Sequence, residues 1–223
     1  MKPFFEEDAK DKQGNLVVPK NQAFNKVGHA MHDLHPVFES FSYSQVVKTL
    51  CKEIMMFQKP SIVQSMYIFK NPRIGGEVGA HKDSSFLITD PLSVCGVWIS
   101  LDEASKENGC MWGVPGSHVK GPNQFMRLRK NADNELETYM DPPSDVAEPY
   151  NSEGAVPLEV GPGSIVLLHG SFLHFSQPNK SDKQRHAYTL HIVEQNYEYS
   201  QDNWIRRHDN KLCDGNSFRT LEY

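Results

Sequence analysis

Residues 61–83 read SIVQSMYIFKNPRIGGEVGAHKD, and they decide the fold. The first ten residues are rich in β-branched and aromatic side chains, which suit a pleated strand. NPRIGG, a turn bearing two glycines, then ends that strand. The stretch closes on His81-x-Asp83. In extended backbone, residues i and i+2 point the same way, so an imidazole and a carboxylate at this spacing converge on a point that can hold a metal ion.

Working outward, SVCGVWISL (93–101), CMWGV (110–114), GSIVLLHG (163–170) and RHAYTLHIVE (185–194) also have strand character, each bounded by Gly, Pro, Asn, Asp or Ser. Upstream, Phe24, Val27, Ala30, Met31 and Leu34 recur at near-helical spacing and predict one or two helices over 21–50, broken near Pro36. Helical spacing continues over 46–57. Residues 1–20 are polar and turn-rich. Residues 121–157 are polar and proline-bearing and predict an insertion or lid. Helices first and short strands afterwards predict an α+β, mainly β, class. The specific form expected is a double-stranded β-helix, a cupin-like jelly roll, with supporting N-terminal helices. One domain over 1–223 is expected, with 1–60 mainly helical support, 61–195 the core and 196–223 a C-terminal surface extension.

The 223 residues carry a formal net charge of -5, which disfavours nucleic acid as a partner. The first twenty residues lack an apolar core flanked by basic residues, and no apolar run approaches the ~18 residues of a membrane span. The C-terminal Leu-Glu-Tyr is no peroxisomal address, so a soluble, cytoplasmic protein is expected. Cys51, Cys95, Cys110 and Cys213 are scattered and read as reduced thiols. The sequence fixes no oligomeric state.

Two histidines and one carboxylate on one face of an ion leave three coordination positions open, as iron(II) oxygenases require for cosubstrate and dioxygen. His174, just past the strand GSIVLLHG, is the candidate third ligand, with His169 close enough to exchange roles. Taken alone, His81-x-Asp83 fits equally a surface pair or a turn-capping aspartate. Arg185 opens the strand RHAYTLHIVE and shares a face with Ala187 and Thr189. A guanidinium facing the interior needs a partner; a dicarboxylate cosubstrate would supply one bidentately, and a surface acid is the plainer alternative. A rival cluster, His29, His32 and His35, drifts around a helix and meets Pro36. His118 and His191 read as structural, and Arg127, Arg129 and Lys130 as a solvated loop.

QSMYIFKNPRIGGEVGAHKDSSFL (64–87), ENGCMWGVPGSH (107–118) and LHFSQPNKSDKQRHAYTLH (173–191) occur in an order that resembles the signature segments of the phytanoyl-CoA dioxygenase family, from about Val17 to Glu194. The resemblance implies iron(II) held by His81, Asp83 and His174. It also implies that Ser176 and Arg185 bind the distal carboxylate of 2-oxoglutarate, with Lys26, Met66 and Trp98 lining that pocket. By the residues alone, Lys26 reads as a solvated helix lysine, Met66 as core filler and Trp98 as a barrel-wall aromatic. The implied reaction uses dioxygen, decarboxylates 2-oxoglutarate to succinate and carbon dioxide, and hydroxylates a small organic substrate; acyl-CoA or another lipid-like compound enters by family analogy. A jelly-roll binding module with a vestigial or structural metal site is the alternative. Family members carry an N-terminal helical region largely missing from the front of this sequence.

Overall fold

A computed structural model describes residues 1–206 and 218–223. In chain order the strands are β1 (Lys2–Phe5), β2 (Phe24–His29), β3 (Pro60–Ile68), β4 (Val78–His81), β5 (Thr89–Asp90), β6 (Cys95–Ser100), β7 (Met111–Gly113), β8 (Phe125–Lys130), β9 (Leu136–Asp141), β10 (Val156–Leu158), β11 (Ile165–His169), β12 (His174–Ser176), β13 (Ala187–Glu194) and β14 (Glu198–Tyr199). Short helices α1 (Met31–Leu34), α2 (Pro36–Ser42) and α3 (Gln45–Thr49) lie between β2 and β3. α3 runs on into a π turn over Leu50–Ile54. The chain is therefore mainly β with few helices.

Two antiparallel sheets matter for the site. The larger has the order β1-β2-β3-β13-β6-β11, and the smaller β10-β7-β12-β4. Strand alternation sorts the larger sheet's side chains. Tyr188, Leu190 and Ile192 of β13, with Val97 and Ile99 of β6, pack against Met31, Val47 and Cys51 of the helices. Leu190 and Ile192 are fully buried, each contributing about 1.5–3 kcal/mol. On the opposite face, Trp98 and Ala187 meet Met111 and Cys110 of the smaller sheet's side. The β3–β13 register slips between His191, opposite Gln64, and Ile192, opposite Ile62. Val63 is the extra residue of that bulge. Hence Ile62 packs on the helices while Gln64, two residues on, faces the space between the sheets.

Three sequence expectations are corrected. Residues 1–60 are not mainly helical, because β1 and β2 form the edge of the larger sheet. Lys26 therefore sits in a strand, opposite Ile68. The apolar spacing of Phe24 to Leu34 fits a helix, but Gly28 weakens one, and the free edge of β3 offers backbone partners to Phe24–His29. Residues 121–157, expected as an insertion or lid with no strand of their own assigned, contain the β8–β9 hairpin. Its turn is closed by Asn131 Oδ1, which accepts from the amides of Asp133 and Glu135. Arg129 pairs across it with Glu137, and Arg127 with Asp141. The chain end is more than a surface extension: Leu221 is buried against the helices and Phe218 in a second apolar cluster. Cys51, Cys95 and Cys110 are free thiols; Cys213 lies outside the described residues. Among the described residues no helix is long and apolar enough to cross a membrane.

Candidate metal centre

β4 ends on His81, and a single 3-10 turn at Asp83–Ser85 turns Asp83 inward. β12 begins on His174 and pairs with β4 so that His174 stands directly opposite His81. Their rings lie 4.3 Å apart, centroid to centroid. Asp83 Oδ1 is 3.6 Å from His81 Nε2 and 3.7 Å from His174 Nε2. Among the described residues, these are the one set of three potential ligands whose donor atoms all lie within 4.8 Å of one another. Two imidazoles and one carboxylate converging on one point match the donor set of a facial triad.

Hydrogen bonding sets the tautomers. His81 Nδ1 lies 2.8 Å from the Gly79 carbonyl oxygen, and His174 Nδ1 lies 3.0 Å from that of Phe172. A carbonyl oxygen only accepts, so each Nδ1 carries the proton and each Nε2 lone pair turns to the centre. Both bonds reach two residues back, so the same local turn orients both rings. Burial, then the neighbouring His174, pushes His81 down to about 4, which keeps it in the neutral, ligating form. Burial alone would raise the Asp83 carboxyl, but the imidazoles of His191, His174 and His81 outweigh it and hold the group below the usual carboxylate range. Asp83 Oδ2 is buried without a hydrogen bond, and His191 Nε2 lies 3.5 Å from it. A buried oxygen in that state fits a site built to meet a cation.

The ligand-bearing turn is pinned from both sides. Lys82 Nζ donates to the carbonyls of Ser117 at 2.9 Å, Lys120 at 2.6 Å and Gly121 at 3.2 Å. The Ser84 amide donates to the Gly170 carbonyl, just ahead of β12. Gly170 has no room for a side chain, since a Cβ would come within 2.3 Å of Ser84 Oγ.

At the other end of the same cavity, Arg185 is 2% exposed. Its Nε and Nη2 donate to the Gly109 carbonyl at 3.1 and 2.9 Å, and its guanidinium lies 5.4 Å from the Trp98 ring centroid. Nη1 is buried with no partner. Burial pushes the group down to about 10. An uncompensated buried guanidinium costs several kcal/mol, so this end fits an anion. Ser176, on the same face of β12 as His174, is also buried.

All eight residues singled out from sequence, His81, Asp83, His174, Ser176, Arg185, Lys26, Met66 and Trp98, line this one cavity of about 510 Å³. Lys26 stands near its mouth, with Nζ 5.4 Å from the Phe4 ring. The rival histidines do not gather. His29 bonds Gln64 through Nδ1 at 2.7 Å, while His32 turns to Ser65 Oγ at 2.7 Å. His169 accepts from the Ser171 amide and faces His118, leaving the third ligand position to His174. Sequence reasoning missed three contributors: His191 beside Asp83, Gly96 beneath it, and Lys70, whose ammonium reaches Ser176 Oγ at 2.8 Å.

A family model described as Phytanoyl-CoA dioxygenase (PhyH) matches residues 1–187. Phytanoyl-CoA dioxygenase 1 of Oryza sativa subsp. japonica is 44% identical over 205 residues, covering 92% of this chain and 70% of that protein. Phytanoyl-CoA dioxygenase domain-containing protein 1 of Danio rerio is 43% identical over 205 residues, covering 91% and 69%. Among solved structures, the non-haem α-ketoglutarate-dependent carbocyclase SnoK from nogalamycin biosynthesis superposes with a TM-score of 0.62 at 22% identity, over 80% of this chain and 67% of that one. EctD from S. alaskensis, solved with 2-oxoglutarate and 5-hydroxyectoine, gives a TM-score of 0.61 at 18% identity, over 82% and 61%. At such identities these two bear on the fold, whereas the family match and the relatives bear on descent. The chain belongs to the phytanoyl-CoA dioxygenase (PhyH) family of dioxygenases.

Proposed function

We propose that this chain is an iron(II)- and 2-oxoglutarate-dependent dioxygenase in which His81, Asp83 and His174 hold the metal. It folds as a single double-stranded β-helix domain over 1–223, with 121–157 covering one side. Arg185 and Ser176 bind the distal carboxylate of 2-oxoglutarate, and Met66, Trp98 and Lys26 line the pocket between that anchor and the metal. Iron(II) held there would supply the dioxygen chemistry that couples decarboxylation of 2-oxoglutarate, to succinate and carbon dioxide, with hydroxylation of a small organic substrate. The protein's own residues orient and shield. The two Nε2 atoms and Asp83 occupy one face and leave the cavity side open. Trp98 and Met66 exclude water from the reacting centre.

The observation that carries this reading is one cavity that holds both a two-histidine, one-carboxylate cluster and a buried guanidinium whose Nη1 has no hydrogen-bond partner. Iron(II) and 2-oxoglutarate, added together without oxygen, are expected to give the visible charge-transfer absorption of a chelate, absent with either alone. Protein that takes up iron(II) but shows no such band and no 2-oxoglutarate binding would instead be a metal-binding module without turnover.

A further inference from the structure

Lys70 follows β3 directly and is only 2% exposed. An ammonium has three protons to place. Lys70 Nζ gives one to the Gly76 carbonyl at 2.5 Å and one to Ser176 Oγ at 2.8 Å. The third has no partner among the described residues, none of whose carboxylates forms an ion pair with Lys70. Arg185, which lines the same cavity, likewise has no ion pair there and keeps Nη1 unbonded. Gly109 serves both cations. Its carbonyl accepts two guanidinium hydrogen bonds, and its Cα passes so close to the lysine stem that a Cβ would lie 2.9 Å from Lys70 Cε. Two buried positive groups held side by side repel each other and each lose hydration, which is tolerable only where an anion completes them.

We propose that Lys70 is a second cation of the diacid site, sharing the distal carboxylate of 2-oxoglutarate with Arg185 and setting the hydroxyl of Ser176 for the same anion. The hydroxyl follows from donor counting. Because Ser176 Oγ accepts from the ammonium, its own proton is free to point into the cavity and donate to a carboxylate oxygen. The carboxylate then receives donors from three residues, Arg185, Ser176 and Lys70, rather than from two. This inference rests on the cosubstrate proposed above and extends its binding site by a residue.

Electrostatics adds a signature. Burial, then the charge of Arg185, pushes Lys70 down to about 7, while Glu6 and Glu77 pull the other way. Near neutral pH a fraction of Lys70 is therefore uncharged. Arrival of a carboxylate beside it favours the charged form, so the ammonium takes up a proton as the diacid binds.

The test is calorimetric titration of the anaerobic, iron(II)-loaded protein with 2-oxoglutarate and with 2-oxobutanoate, which lacks the distal carboxylate. In two buffers of different ionisation enthalpy at pH 7.5, the wild type is expected to take up a fraction of a proton with 2-oxoglutarate and none with 2-oxobutanoate. Lys70→Met should weaken 2-oxoglutarate by about ten-fold or more, leave 2-oxobutanoate within about two-fold, and abolish the uptake. Lys70→Arg should recover part of the loss. Wild-type binding of 2-oxoglutarate without proton uptake, or a folded Lys70→Met that binds it as the wild type does, overturns the role of Lys70 and leaves the cosubstrate intact. Wild-type protein that binds neither ligand overturns the cosubstrate itself and this inference with it. The wild-type measurement holds even if the variant does not fold.

Discussion

Gly96 of β6 lies directly beneath Asp83, so close that a methyl on its Cα would stand 2.9 Å from Asp83 Oδ2 and 3.3 Å from Leu168 Cβ. Leu168 is a buried core residue, so the strain falls on the Asp83 side chain at the start of its turn. Gly96→Ala should therefore displace the carboxylate. A loss of about 1–3 kcal/mol in stability is expected from overpacking, with iron(II) affinity falling about ten- to a hundred-fold. Thermal melts and metal titrations read the two effects separately. An alanine variant with wild-type metal affinity would contradict the geometry.

His174→Ala removes one of the three proposed ligands while leaving the β12 backbone able to pair. Because loss of a group that merely supports a ligand costs ten- to a hundred-fold, loss of the ligand should cost more than about a hundred-fold in iron(II) affinity. Succinate formation should drop to background. Retention of full 2-oxoglutarate turnover would refute the assignment of His174.

Acid should destabilise the metal-free protein. His81 and His29 are both pushed down from 6.5 to about 4, chiefly by burial. A group whose folded value is depressed gives stability that is complete above its unfolded value and is lost as pH falls toward the folded one. Between about pH 6.5 and 4, unfolding should then take up to two extra protons, a slope of about 1.4 kcal/mol per pH unit for the enclosed His81 and less for His29, which solvent screens. Urea unfolding across that window measures it, and His81→Asn should remove about one proton's share.

Lys82 sits between two proposed ligands, and its ammonium ties three carbonyls of residues 117–121 to the metal turn. Lys82→Met keeps the stem and removes the ties. Losing three part-buried hydrogen bonds from a charged donor to carbonyls that solvent can reach should cost about 1–3 kcal/mol in total. Amide hydrogen exchange should quicken over 117–121 more than in β13. Unchanged protection there would argue against the tether.

Sequence marked His81, Asp83, His174 and Arg185 as candidates through local signals, a two-residue spacing, a strand end and an arginine on an alternating face, and the family resemblance supplied the roles proposed for them. Gly96, His191 and Lys70 were not marked, because their importance comes from neighbours across strands. His191 stands opposite Gly96 on one side and Gln64 on the other, and only that register brings it to Asp83. Lys70 becomes informative when Ser176, 106 residues away, meets it. The same limit misled the reading of Phe24–His29, whose apolar spacing suits a helix but whose backbone is claimed by the edge of β3. The β8–β9 hairpin was hidden for a related reason: its strands lie half-exposed and rely on cross-strand pairs more than on burial.

β12 is only three residues long, yet it is bonded on one flank to β4 and on the other to β7. His174 and Ser176 thus project from a short, doubly braced rail, separated by one strand repeat of about 6.6 Å. For the cosubstrate proposed above, that rail is a gauge. It sets the span between the metal-chelating end and the anchored end of the molecule in backbone, which a side-chain rotation cannot stretch. A five-carbon diacid is expected to bridge it, and its four- and six-carbon homologues to bind more weakly, arriving short or overlong.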